Sequence, residues 1–370
     1  MNRSICTVFA FLFLLFFAAP ATGSTRKVSF YGDIRFNTYW VKKSDDLYNN
    51  GLGDTDSDLL WKIDPGNSRA GVRFHQAPLS ANAEIRPKNG AYYRQWWAQW
   101  NFGSAALLIG HTWVPTYLAF SKSEFDSHTR LLYGDLRSRL RAPQMRLTVP
   151  FFKGKFILGL LNNPAIEPEW AGAGKYANYD TDVSLPEIEA RLTLKWASVQ
   201  IDLFGGYGTY KAVDLSTEHS ETVRSDIYGL RVIFPLGPAY LKGIWYGGTN
   251  PGNYGDIGTL HLNYRTMLLN TTTGQATDSN LEGYGGVMGY KINDVVRAEV
   301  GYFKIRTRRY LSEDDDRAIY YLVLPIIPIK GVTISPEIGI RDEMDFTDAA
   351  GIHQNQGKST YIGAYWRIAF

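Results

Sequence analysis

Arginine is placed in this chain where it could gather an anion. Arg35 lies in GDIRFN, Arg69 and Arg73 in SRAGVRF, and Arg86 in AEIRP. A guanidinium fork meets a carboxylate with two parallel hydrogen bonds, and its charge survives burial. The nearby acids in sequence are Asp33 and Glu84. Brought to one wall, this excess of cations would attract carboxylate-bearing or other anionic solutes by focusing field in a narrow space. Arg191, Lys195 and Arg341, with Arg146, Arg231, Arg297 and Arg367, stand in comparable polar positions further along. The acids in such positions are Asp33, Glu84, Glu187, Glu189, Asp202, Glu299 and Glu337. The bland alternative is that these charges only satisfy one another across neighbouring strands.

Other chemistry is poorly supported. No zinc-protease helix motif, phosphate loop, dinucleotide fingerprint or nucleophile elbow occurs in the sequence. The histidines are scattered, and His219 beside Ser216 and Ser220 falls in a stretch that reads as loop. Asp54, Asp56 and Asp58 have the spacing of a calcium-loop start, but Leu59 and Pro65 stand where that loop needs glycine and glutamate. The chain therefore reads as a non-enzyme with no cofactor and no metal. The formal net charge is +3, and the basic residues are interleaved with acids, which argues against nucleic acid as a partner.

What would position the arginines is alternation. From Lys27 to Trp40, Val28, Phe30, Ile34, Phe36 and Trp40 share one parity, while Ser29, Asp33, Arg35 and Asn37 share the other. Glu187–Trp196 and Val332–Arg341 repeat the pattern, as does the end of the chain, where Ile362, Ala364, Trp366, Ile368 and Phe370 fall together. Side chains on a strand point alternately to opposite faces, so each segment has one apolar and one polar face. A soluble sheet with one wet face would give the same pattern. Its repetition along the chain, with charges of both signs on the wet face, favours strands of a membrane barrel around a water-filled lumen.

The breaks support this. Short ones, at His75–Asn82, Gly103–Ala105, Lys153–Lys155, Ala197–Val199, Leu236–Pro238, Asn293–Asp294 and Lys330–Gly331, alternate with long ones at Lys42–Asp58, Val114–Arg141, Asn162–Ser184, Val213–Arg224, Thr249–Asn280, Leu311–Asp316 and Thr347–Lys358. Pro87–Ala91 is short but sits where a long break is due. Short turns at one rim and long loops at the other predict an all-β, transmembrane antiparallel barrel of about sixteen strands. Fourteen and eighteen remain open, because Thr259–Leu269 alternates too and could be a strand, a hairpin or loop. Ala318–Ile329 is apolar on both parities, as for a strand packed on both faces, for example against a neighbouring subunit. Most tryptophans fall on outward parities or near strand ends, as interfacial girdles require. An aromatic track for sliding sugars is the functional alternative.

At the amino end, Arg3 precedes the apolar run Val8–Ala19, and Ala21 and Gly23 stand before Ser24. This is the pattern of a secretory signal peptide, with 1–23 removed and 24–370 forming a single barrel domain. The only cysteine, Cys6, lies within that signal. No later run is long and apolar enough for a spanning helix.

The long break after HTWVPTY carries Glu124, Asp126 and Asp135 with Arg130, and has Phe120, Phe125, Leu131, Leu132 and Tyr133 as apolar anchors. Such anchors predict an inward-folded third outer loop whose acids oppose the basic wall and narrow the pore.

The order of these parts (a short signal, KVSFYGDIRFNTYW as first strand, a long loop after HTWVPTY, and terminal YIGAYWRIAF) resembles Gram-negative outer-membrane trimeric porins. Within that family, SRAGVRF, AEIRP, LLIGHTW and LPEIEARLTL resemble the DcaP-like subtype. Read from Ser24, the chain passes almost directly into the first strand, without the coiled-coil segment of that subtype. The resemblance implies a sixteen-stranded homotrimer in the outer membrane whose third outer loop constricts the pore, and the DcaP-like likeness implies passage of aromatic dicarboxylates. Its partners would be outer-membrane lipid and lipopolysaccharide, and the barrel-assembly machinery through the final strand ending in Phe370. The reading is a passive channel for small hydrophilic solutes, leaning to anions. The alternatives are a closed structural or receptor barrel that binds a partner through its long loops, and an outer-membrane hydrolase.

Overall fold

The computed structural model describes residues 26–47, 57–64, 67–87, 91–118, 120–125, 141–166, 169–171, 179–215, 220–254, 266–270, 275–309, 315–347 and 353–370. The expected signal peptide, the Asp54–Asp56 stretch, the Ser216–His219 pair, and Asp126, Arg130 and Asp135 of the long loop lie outside the described residues.

The alternating segments form one closed antiparallel barrel. In chain order its strands are β1 (Lys27–Lys43), β2 (Ser57–Ile63 and Arg69–Gln76), β3 (Leu79–Pro87), β4 (Ala91–Phe102), β5 (Ala105–Trp113), β6 (Arg141–Phe151), β7 (Gly154–Leu161), β8 (Tyr179–Asp182 and Glu187–Trp196), β9 (Val199–Asp214), β10 (Ser220–Leu236), β11 (Ala239–Thr249), β12 (Ser279–Lys291), β13 (Arg297–Arg309), β14 (Asp315–Val323), β15 (Val332–Asp342) and β16 (Lys358–Ala369). β2 and β8 are each interrupted, but both pieces of β2 pair with β1 and both pieces of β8 with β9. The count is therefore sixteen, closed by β16 against β1 with Arg367 opposite Arg35. Every short break of the sequence is a turn at one rim, and every long one joins strands at the other.

Closure uses the last residue. Gly32 and Phe370 exchange backbone hydrogen bonds of 3.0 Å in both directions. The Phe370 ring lies over Gly32, where an added Cβ would come within 2.8 Å of it. Glycine at 32 thus seats the terminal ring on the outer face.

The outer face is apolar, with Phe30 82%, Trp196 78% and Trp61 66% exposed. Lipid would cover such side chains, and rings at strand ends suit the two interfaces. Among the described residues no helix is long and apolar enough to cross a membrane.

Two segments that resist simple alternation find their explanation inside the barrel. In β14, Ile319, Tyr321 and Val323 are buried, while Tyr320 and Leu322 are exposed outward. The inward residues join an apolar cluster with Leu118, Phe120 and Phe125 from the loop after β5. Both parities are apolar because one faces outward and the other faces that loop. Leu268–Asn270, at the end of the ambiguous Thr259–Leu269 stretch, adds no barrel strand. It forms a small sheet with Gln275–Thr277 and Glu169–Ala171, so two long loops meet there.

Candidate functional site

The inward side chains sort into two groups by what they touch. The acids are buried and occupied. Asp33 accepts both forks of Arg35, at 2.8 and 3.0 Å, and also pairs with Arg69 at 3.0 Å and Arg367 at 3.1 Å. Glu84 takes Arg94 at 2.9 Å and the Tyr31 hydroxyl at 3.0 Å, with Arg69 at 3.8 Å. Asp202 accepts from Thr193 at 2.6 Å, Gln200 at 2.9 Å and Arg231 at 2.7 Å.

Three further carboxylates, Glu189, Glu299 and Glu337, hold the loop that follows β5. Glu189 accepts the backbone N–H of Thr116 at 2.9 Å and its hydroxyl at 2.8 Å. Glu299 accepts the N–H of Lys122, together with the hydroxyls of Tyr240 and Tyr321. Glu337 accepts from Ser123 Oγ, Glu124 N, Phe125 N and the Tyr361 hydroxyl. Cations grip the same segment by its carbonyls. Arg146 donates to Trp113 O at 3.1 Å, Arg191 to Tyr117 O at 3.1 Å and Lys242 to Phe120 O at 2.7 Å. Phe125 stacks on Tyr361 with centroids 3.6 Å apart, and Phe120 meets Phe303 edge-on at 5.4 Å. The described residues 114–118 and 120–125 therefore lie against the inward faces of β8, β11, β13, β15 and β16. Burying each aromatic anchor contributes about 2 kcal/mol, and hydrogen bonds to ionised acceptors are the stronger class.

A second loop segment is also buried against the inner wall. The turn Pro251–Tyr254 after β11 is wholly buried. Tyr254 donates to Ser225 O at 3.2 Å, and Asn253 donates to Asn163 at 3.1 Å. Its seat is Gly206 on β9, where a Cβ would come within 2.6 Å of the Tyr254 ring.

The basic residues singled out in the sequence are distributed as follows. Arg35 is 6% exposed and bound to Asp33, so it is a structural ion pair. Arg69 joins that network while staying partly open. Arg73 is exposed, with its guanidinium carbon 4.1 Å over the Tyr31 ring. Arg86 shares the inward parity of Glu84 on β3 and stands within electrostatic reach of Arg141. Arg341 lies 4.8 Å over the Phe125 ring. Arg191 and Lys195 line one recess at the short-turn rim. Glu124 lies within electrostatic reach of Arg35.

One inward arginine is hidden from parity counting. In β4, Trp96 and Trp100 are outward, and Arg94 shares their parity, yet Arg94 is 2% exposed and bound to Glu84. The register slips between Glu84 and Ile85, whose partners are Gln95 and Tyr93. Arg94 is the extra residue of this bulge, which re-aims it inward.

No family profile and no curated protein matches the chain. Solved structures do. The outer membrane channel DcaP of Acinetobacter baumannii superposes with a TM-score of 0.67 at 13% identity, covering 93% of this chain and 97% of that one. OmpT, an outer membrane protein of Vibrio cholerae, gives 0.62 at 16% identity over 95% and 100%. An anion-selective porin from Comamonas acidovorans gives 0.61 at 14% over 94% and 100%. The chain has the fold of outer-membrane channel barrels.

Proposed function

We propose that this protein is an outer-membrane porin: a passive, water-filled channel for small hydrophilic solutes that prefers anions and carboxylates. The observation that carries the reading is the unequal use of charge inside the barrel. Asp33, Glu84, Glu189, Asp202, Glu299 and Glu337 are each buried and hold arginines or the inserted loop. Arg73 and Lys195 instead stay exposed on the inward side, and Arg69, Arg86 and Arg341 stay partly so. Fixed positive charge in a low-dielectric-walled passage concentrates anions and slows cations. Arg69, Arg73, Arg86, Arg191, Lys195 and Arg341 form the attracting wall, and Glu124 with the described residues of its loop narrows the passage from the other side. The protein is exported by a signal peptide, assembles as a homotrimer like the trimer form known for Vibrio cholerae OmpT, and is inserted through its final strand.

The test is the reversal potential of purified protein in a planar bilayer under a potassium chloride gradient. A potential of the sign set by chloride permeation is expected. Cation preference overturns the basic-wall reading and leaves the barrel intact. Absence of conductance favours the closed receptor barrel, in which the two inserted loops fill the lumen.

A further inference from the structure

At the short-turn rim, between β7 and β10, the inward wall opens into a recess of about 540 Å³. Lys153, Lys155, Arg191, Lys195 and Arg231 line it, and Asp202 is the acid among the lining residues. Asp202 is fully engaged, by Arg231, Thr193 and Gln200. Among the described residues Lys155 and Lys195 have no carboxylate within ion-pair distance. Lys155 stands within electrostatic reach of three cations, Arg191, Arg146 and Lys195, against one acid, Asp202. Strand pairing explains the crowding, because Thr193 lies opposite Lys155 on β7 and opposite Asp202 on β9. Lys155 on β7, Arg191 and Lys195 on β8, and Arg231 on β10, across β9 with its Asp202, therefore line one space.

Like charges held this close repel, and water alone relieves them incompletely. An isolated chloride would meet one or two of them. Attraction scales with the product of charges, so an ion carrying several negative oxygens gains from all at once. Lysine ammonium groups serve as point charges for such oxygens, and arginine forks add directional hydrogen bonds.

We infer that this recess is a binding site for a small multivalent oxyanion, a compact molecule presenting several phosphate or carboxylate oxygens. The inference rests on the channel reading for its place on the permeation path, but binding is measurable without conductance. The site lies at the rim opposite the long loops, away from the Asp33 and Glu84 networks.

Isothermal titration of the detergent-solubilised protein with pyrophosphate, and separately with citrate, tests it. Saturable binding of either is expected, and the stronger of the two identifies the oxygen source. The double variant Lys155→Gln/Lys195→Gln should bind about tenfold more weakly or worse, as loss of two attractive contacts implies. Lys155→Arg/Lys195→Arg should keep the site, and heat-dependent electrophoretic mobility shows whether each variant is folded. Arg308→Gln, on the outward parity of β13, should leave binding unchanged. No binding of either ion, or equal binding by wild type and the folded glutamine variant, overturns the inference. The channel reading fails separately, through its reversal potential.

Discussion

Arg94 Nε donates to Glu84 Oε1 at 2.9 Å, although alternation along β4 places Arg94 among lipid-facing tryptophans. The bulge that re-aims it creates a buried pair with both members about 2% exposed. Removing one member of such a pair leaves the other charged and unsolvated, which costs about 3–5 kcal/mol. Glu84→Gln should therefore lower barrel stability by about that amount. Guanidinium unfolding in lipid vesicles, followed by tryptophan fluorescence, reads the shift. An unchanged midpoint would show that water reaches Arg94 and that the pair is only a surface contact.

This pair also marks where the sequence stops being legible. Alternation and break spacing suffice for the strands, turns and outer loops, because period two and loop length follow from lipid on one side and water on the other. They also place Arg35, Arg69 and Asp33 on one face. They do not show that Arg35 is sealed inside an ion pair, since burial depends on what the loops cover. Arg94 is misplaced because one inserted residue inverts parity beyond it. The doubly apolar Ile319–Val323 stretch signals that something packs inside the barrel, but alternation alone cannot say whether a loop or a neighbouring subunit covers it.

Gly206 and Tyr254 give a test of the second inserted loop. Without a side chain at 206, the Tyr254 ring lies against the β9 backbone. Gly206→Val must displace that ring or bend the strand, and the buried Pro251–Tyr254 turn is the more yielding partner. Single-channel conductance should rise as the turn leaves the lumen. A variant that folds with wild-type conductance would mean that this turn lies off the permeation path.

Glu337 is the strongest single tie on the loop after β5, accepting from Ser123, Glu124 and Phe125. Glu337→Ala removes all of these and leaves the Tyr361 hydroxyl without this acceptor. Each lost hydrogen bond costs about 0.5–1.5 kcal/mol net. The loop should loosen, giving larger and noisier conductance and faster trimming by added protease. Quiet, unaltered channels would show that the other ties, from Glu189, Glu299 and the stacking of Phe125 on Tyr361, hold the loop without Glu337.

The selectivity of the lumen should follow the exposed cations rather than the buried pairs. Arg73 is exposed over Tyr31, and Arg86 stands on the inward parity of the next strand. Replacing both by glutamate inverts the field that they impose, whereas Arg35→Gln mainly removes a structural partner of Asp33. Arg73→Glu/Arg86→Glu should move the reversal potential toward cation preference. Arg308→Glu, on the outward parity of Val300, should not. The shift should be large at 0.1 M salt and shrink at 1 M, where the screening length falls to about 3 Å. A shift that persists undiminished at high salt would point to altered pore shape instead of charge.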